Sequence, residues 1–311
     1  MPPPMPPMPP TPAVPPPTPA AAIPPPPPPT PELRAALAGT RAMLLDLDGV
    51  IIAAGQLIPG AAESVARLEA MGFPYRIVTN TSAVSRVRLA RWSERLGAII
   101  PADRFLSALS ASAAYTARVF PGRPLYVLAS DDAKTEFAGQ HLLTHAEAAA
   151  PGAAAAAVVI GDSPEEATFE NLNRAFRLVM RGAVLVGMHR NAWWLTADGP
   201  TLDSGAFVVG LEFSSGVRAH IAGKPSPTFY SNAVTELRRD VGHGLARQDI
   251  AMVGDDIRSD VLAARRSGLR GIFVLTGKHG PADLAAAERG RGGGRPDAVA
   301  PSLVQVVAAL H

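Results

Sequence analysis

The chain has 311 residues, 47% of them hydrophobic, which is enough to bury a sizeable core and to form about two domains. It contains no cysteine, so disulfides, thiolate metal sites and a cysteine nucleophile are excluded. The formal charge of +2 with a pI of about 9.2 is a small excess that titrates late, and the arginines over 85–96 and at Arg265 and Arg266 carry no interleaved aromatics, so no nucleic-acid surface is expected.

In chain order, the first residues are mostly proline, which forms neither a helix nor a ladder and samples polyproline II. Residues 1–32 are expected to be a disordered, passive tail rather than a ligand for aromatic-grooved modules. No charge precedes Glu32, so neither a secretory signal nor a transit peptide is read. No apolar run reaches the ~18 residues of a membrane span, and 148–161 is interrupted by Pro151-Gly152. A cytoplasmic location is expected.

From Leu33 onward, short apolar runs alternate with amphipathic segments. Strands are predicted over 43–46, 75–78, from 105, and over 125–128, 157–160, 184–186, 220–222, 250–253 and 271–275; helices are predicted over 61–71 and 86–96. This alternation predicts an α/β fold with a doubly wound, Rossmann-like parallel sheet. Ser163-Pro164-Glu165-Glu166 reads as a capped helix start, with Phe169, Leu172, Phe176 and Val179 as its core stripe. The Gly/Arg-rich run over 289–295 reads as a solvated loop.

The most informative stretch is Leu44-Leu45-Asp46-Leu47-Asp48-Gly49-Val50. Two carboxylates two residues apart at the end of a strand project to one side. The C-terminal edge of a parallel sheet is where ligands bind, and Gly49 lets the backbone turn away sharply. Chemistry on a phosphate monoester also needs donors to the phosphoryl oxygens, a proton for the leaving oxygen and compensating positive charge. Arg76-Ile77-Val78-Thr79-Asn80-Thr81 is a strand ending in hydroxyl and amide groups, with Thr79 and Asn80 as phosphate-binding candidates. Ile221-Ala222-Gly223-Lys224-Pro225-Ser226-Pro227 sets Lys224 just before a helix opened by Ser226 and Pro227, a place favourable to anions. Met252-Val253-Gly254-Asp255-Asp256-Ile257-Arg258-Ser259-Asp260 ends a strand in hard oxygen ligands suited to Mg²⁺. Asp260 also fits a first-turn acid of the next helix, which Gly268 is expected to close. Each piece alone could be a turn, a cap or a surface lysine. All four in this order, each at a strand end, have no such shared explanation.

In this order the four segments resemble the motifs of the haloacid dehalogenase-like hydrolase superfamily. The resemblance implies a Mg²⁺-dependent phosphohydrolase with Asp46 as nucleophile and Asp48 as acid/base. It implies Thr79, followed by Asn80, and Lys224 at the substrate phosphate. Asp255 would be the metal acid, with Asp256 or Asp260 supporting it, and the metal would be held by Asp46, the Asp48 backbone carbonyl and Asp255. The long gap from Asn80 to Lys224 implies an inserted α/β cap, as in the NagD-like subfamily with a C2-type cap. The chain then divides into a tail (1–32), core (33–108), cap (109–218) and core (219–311). Ile58-Pro59-Gly60-Ala61 agrees. Asn171-Leu172-Asn173-Arg174-Ala175-Phe176, Leu211-Glu212-Phe213 and Leu275-Thr276-Gly277-Lys278 are similar to the phospholysine phosphohistidine inorganic pyrophosphate phosphatase group and its domain-containing relatives. His189 and Arg190, with Trp193 and Trp194, are candidate cap contacts to substrate. Asp48, where that pyrophosphatase has a non-acidic residue, leans toward ordinary phosphate monoesters over pyrophosphate, phosphohistidine or phospholysine. The expected partners are a small phosphorylated substrate and a second copy paired through the cap, with no nucleic acid and no membrane. Two rivals differ in what they require. A dehalogenase needs neither the second Asp nor a metal. A catalytically silent binding protein of the same fold, recruited by its proline-rich tail, needs no intact carboxylates and lysine.

Overall fold

The computed structural model describes residues 27–196, 199–289 and 294–310. The proline-rich run over 1–26 and positions 290–293 of the Gly/Arg-rich loop lie outside the described residues. The strands are β1 (Ala42–Asp46), β2 (Ile52–Ala53), β3 (Gln56–Leu57), β4 (Tyr75–Thr79), β5 (Phe105–Ser107), β6 (Leu125–Leu128), β7 (Ala157–Ile160), β8 (Val184–Gly187), β9 (Trp193–Thr196), β10 (Gly199–Leu202), β11 (His220–Ile221), β12 (Ile250–Gly254), β13 (Arg270–Val274) and β14 (Ala298–Ala300). The helices are α1 (Pro31–Leu37), α2 (Ala61–Ala70), α3 (Arg86–Leu96), α4 (Ala108–Val119), α5 (Asp131–Lys134), α6 (His145–Ala149), α7 (Phe169–Met180), α8 (Gly205–Ser215), α9 (Pro227–Val241), α10 (Ala263–Arg266), α11 (Pro281–Arg289) and α12 (Leu303–Ala308). None of the described helices is long and apolar enough to cross a membrane.

The first sheet is parallel throughout, in the order β14-β13-β12-β1-β4-β5. All five residues of β1 are buried, as expected of a strand covered on both faces. Met43 and Leu45 meet α1, α2 and α12 through Leu33, Val65, Leu68 and Val306. Leu44, on the other face, joins Phe229, Ala233 and Leu237 of α9 and Ala263 and Ala264 of α10. Met43 stands opposite Ala251 and Tyr75, and Asp46 opposite Val78, so β1, β4 and β12 end along one edge. That edge carries Asp46, Thr79 and Asp255.

The second sheet, β11-β8-β7-β6, is also parallel and forms the inserted cap. One face packs on α4 and α5, the other on α6, α7 and α8. The division expected from sequence counted 219 onward with the core, but His220 pairs with Val186 of β8. The ladder continues through Ala222 N–H to Gly187 (3.0 Å) and Gly223 N–H to Met188 (2.8 Å), so the return to the core falls at Lys224.

Three local expectations are corrected. The helix expected from Ser163 starts instead at Phe169, capped by Thr168, whose side chain accepts from Asn171 N–H at 3.2 Å. The Glu166 carboxylate that would have closed the capping box is taken by Lys134 at 2.8 Å and His145 at 3.0 Å. The buried face of α7 is Asn171, Ala175, Leu178 and Val179, with Leu172 and Phe176 at its flank and Phe169 82% exposed in the first turn. At the N-terminus, the tail does not run to 32. Thr30 caps α1 by accepting from Leu33 N–H at 3.2 Å, and Pro31 and Glu32 are already helical.

Candidate active site

The apolar ladder of β1 delivers Asp46 to the sheet edge, 7% exposed, where one carboxylate oxygen accepts the Leu47 N–H at 2.7 Å. Asp48 follows in the turn and faces solvent, while the rest of its surroundings is dense protein. That crowding, opposed by Lys224 and joined by Asp255, lifts its carboxyl above the ordinary range. Gly49 has φ 78°, and a Cβ there would stand 2.3 Å from the Asp255 carboxylate, so only glycine lets this turn close against Asp255.

Lys224 lies between two acids. Its Nζ is 2.8 Å from Asp46 Oδ1 and 2.8 Å from Asp260 Oδ1, and it donates to the Val78 carbonyl at 3.3 Å. Burial pulls its pKa down, but Asp260 and Asp46 outweigh this and hold the ammonium well above its usual range. Asn80 fixes the Lys224 backbone: its Oδ1 accepts the Lys224 N–H at 2.8 Å and its Nδ2 donates to the Lys224 carbonyl at 3.0 Å. Sequence reasoning set Asn80 at the substrate phosphate, but both of its amide hydrogens are engaged, the second at 3.4 Å from Asn191 Oδ1. Gly223 permits this approach, since a Cβ there would be 2.7 Å from Asn80 Oδ1 and 2.6 Å from the Met188 carbonyl.

The acids after β12 divide their roles. Asp46, Asp255 and Asp260 each place an oxygen within 4.8 Å of the others. Asp256 turns away: it caps the wide π-type turn over 257–262 by accepting from Arg258 and Ser259 N–H, and pairs with Lys278 at 2.6 Å. Burial opposes ionisation of Asp256, yet Lys278 and these backbone donors hold its carboxyl far below the usual range. Asp260 is thus the acid that joins the cluster, a choice the sequence left open.

Thr79, 1% exposed, ends β4 beside this group, and its Oγ1 accepts the Thr81 N–H at 3.1 Å. The two expected cap contacts differ: His189 is buried, whereas Arg190 is exposed. His189 is 2% exposed, with Nε2 2.9 Å from Ser82 Oγ and 3.2 Å from Ser204 Oγ. Arg190 is paired with Glu212 at 2.6 Å. Trp193 is 61% exposed, and the side chain of Trp194 lies outside the described residues. Sequence reasoning missed Ser82, Asn191 and the Thr276-Gly277-Lys278 run as site components. Only pairing across distant segments reveals them.

Residues 221–306 match the HAD-hydrolase-like family, and residues 43–142 match the haloacid dehalogenase-like hydrolase family. Over 243 residues the chain is 35% identical to haloacid dehalogenase-like hydrolase domain-containing protein 2 of Bos taurus, a match covering 78% of this chain and 87% of that one. The chain belongs to the haloacid dehalogenase-like hydrolase family. A second relative within it, 33% identical over 253 residues, is phospholysine phosphohistidine inorganic pyrophosphate phosphatase of Homo sapiens (79% and 87% covered). Among solved structures, the p-nitrophenyl phosphatase from Archaeoglobus fulgidus has a TM-score of 0.77 at 28% identity (87% and 99% covered). NagD from E. coli K-12 shares the fold, with a TM-score of 0.73 at 24% identity (86% and 98% covered).

Haloacid dehalogenase-like hydrolases generally use a divalent metal, and the residues here suit one. Three buried carboxylates converge, and the Lys224 ammonium contacts two of them, Asp46 and Asp260, which leaves excess negative charge. Burial first, and then their mutual repulsion, lifts Asp46 and Asp260, and pushes Asp255 up to about 6. Asp260 Oδ1 is fully enclosed, and Lys224 approaches it without hydrogen-bond alignment. A hard cation with oxygen ligands relieves this crowding.

Proposed function

We propose that the chain hydrolyses small phosphate monoesters through a phospho-aspartate on Asp46, with Mg²⁺. The enzyme is a phosphatase, and the observation that supports this course is Lys224 held at 2.8 Å from both Asp46 and Asp260 beside Asp255. An Asp46 oxygen attacks phosphorus, the bond to the leaving oxygen breaks, and Asp48 gives that oxygen its proton. Water then attacks the acyl phosphate, Asp48 takes the water proton, and the Asp46 carboxylate is released. Lys224 offsets charge on the phosphoryl oxygens, and Thr79 donates to one of them. Mg²⁺, which Asp46, Asp255 and the Asp48 carbonyl would hold, supplies further positive charge there. The position of Asp48, exposed two residues after Asp46, supports the acid role. Pyrophosphate, phosphohistidine and phospholysine, named for the human relative, are the second substrate class to assay.

Phosphate release from an aryl phosphate is the test. The wild-type chain should turn over with Mg²⁺ and fail with a chelator, and Asp46→Asn should fold normally and be inactive. Substantial turnover by clean Asp46→Asn protein would sink the nucleophile assignment, and full activity in chelator would refute the metal.

A further inference from the structure

Three consecutive residues after β13 touch both halves of the site without belonging to the reacting set. Thr276 Oγ1 donates to the Gly49 carbonyl at 2.5 Å. This acts on the turn that carries Asp48, which is also tied by the Gly49 N–H to the Ile52 carbonyl at 2.7 Å and by the Ile51 and Ile52 N–H groups to the Leu47 carbonyl at 3.0 Å. Gly277 passes so close to Asp255 that a Cβ would lie 1.9 Å from its Oδ2. Gly49 presses on the same carboxylate from its own turn, where a Cβ would be at 2.3 Å. Lys278 then donates its N–H to Asp255 Oδ2 at 2.7 Å and sends its ammonium to Asp256 at 2.6 Å. The Asp255 carboxylate is gripped between two glycine backbones and one N–H, and the grip is closed by a hydroxyl.

We infer that Thr276-Gly277-Lys278 is a positioning clamp for the cation-binding carboxylate, with the Thr276 hydroxyl as the bond that locks it to the Asp48–Gly49 turn. A ligating carboxylate needs a fixed rotation, and groups that fix it from behind typically change metal affinity or activity by about 10–100-fold when removed. Thr276 is a positioning residue, since it reaches substrate and cation only through Gly49 and Asp255. The clamp also couples two motifs that lie far apart in sequence: a shift of the Asp48 turn moves the partner of Thr276, and with it the Gly277 backbone against Asp255.

This inference rests on the metal named under Proposed function, so its first readout is binding rather than turnover. Mg²⁺ affinity is measured by calorimetry on the metal-stripped full chain for wild type, Thr276→Val and Thr276→Ser, with thermal melts in parallel. Thr276→Val keeps the shape and removes the donor, and it should weaken Mg²⁺ binding about 10–100-fold. Thr276→Ser keeps the donor and should bind as wild type does. Thr276→Ala replaces the valine variant if that one does not fold, with the same expectation. In kinetics, kcat at subsaturating Mg²⁺ should fall and recover as Mg²⁺ is raised. Wild-type Mg²⁺ affinity in Thr276→Val, or an equal loss in Thr276→Ser, overturns the clamp alone. A wild-type chain that binds no divalent cation overturns the metal reading and the clamp together, whereas Mg²⁺ binding without phosphatase turnover strikes only the reaction.

Discussion

At the scale of single residues, Asn80 shows how a side chain of the right chemistry can serve a neighbour instead of the substrate. Its amide accepts one Lys224 backbone bond and donates the other, a reciprocal pattern that also fixes which end is oxygen. Asn80→Ala removes both, and at about 1 kcal/mol each kcat should fall roughly 10–30-fold as Lys224 loosens. Inhibition by inorganic phosphate should change little; a parallel loss of phosphate affinity would return Asn80 to the substrate. Asp48→Asn should discriminate by leaving group. Acid help is worth ~10²–10⁴-fold, and an aryl oxide needs little of it, so an alkyl phosphate should lose far more than an aryl phosphate. Equal losses on both would assign Asp48 another task.

At the scale of elements, α1 ties the start of the described residues to the first sheet. Leu33 and Leu37 are buried against the first sheet, and Thr30 and Pro31 open the helix. Deleting residues 1–26 should leave the melting temperature and kcat unchanged. Extending the deletion through Glu32 removes the cap and should cost about 1 kcal/mol. Identical melts for the two truncations would show that the cap contributes nothing. A second tie runs from β4 to α9: Arg76 donates to Asp240 at 2.7 and 3.1 Å, and Arg104 adds a third bond at 3.0 Å. These bonds, Arg76 foremost, hold the Asp240 carboxyl below its usual range. A depressed carboxyl contributes stability that is present above its unfolded pKa and lost as pH falls through the folded one. Below pH 4, wild type should therefore lose stability faster than Asp240→Asn, which should already be weaker by on the order of 2 kcal/mol at neutral pH. Parallel acid melts for the two would remove Asp240 from the account.

At the scale of the whole molecule, the cap meets the core through a small polar knot, two crossing segments and the bonds of Ser85 and Arg86 at the start of α3 to Asp132 and Glu136 of the cap. Ser82, just past β4, accepts the Asp162 N–H at 2.9 Å and bonds His189 at 2.9 Å, both from the ends of cap strands. Burial holds the His189 imidazole below its usual range against the pull of Asp203. Tyr115 of α4 stacks on His220 of β11 with centroids 3.9 Å apart, joining the segment that enters the cap to the one that leaves it. The exit segment reaches Lys224 one residue after its bond to Met188, just past β8. Ser82→Ala strips partners from two buried cap groups and should lower stability by about 1–3 kcal/mol, with faster proteolysis between core and cap. An unchanged melt and digestion pattern would show that the knot does not hold the cap.

The sequence by itself determined the parallel α/β core and the candidate reacting residues, because both are local. Buried strands read as apolar runs, and carboxylates at their ends are set by strand geometry. Asp46, Thr79, Lys224 and Asp255 therefore stand where their strand ends predicted. Helix starts were less secure, since Ser163-Pro164 has the composition of a cap, but Glu166 is claimed by Lys134 and His145 from elsewhere in the chain. Only the tertiary structure decided that Asp260 rather than Asp256 joins the cluster, that Asn80 holds Lys224, and that His189 is buried at the knot. Each of those outcomes turns on which distant charge or donor reaches a side chain first, and a composition or a spacing carries no trace of that competition.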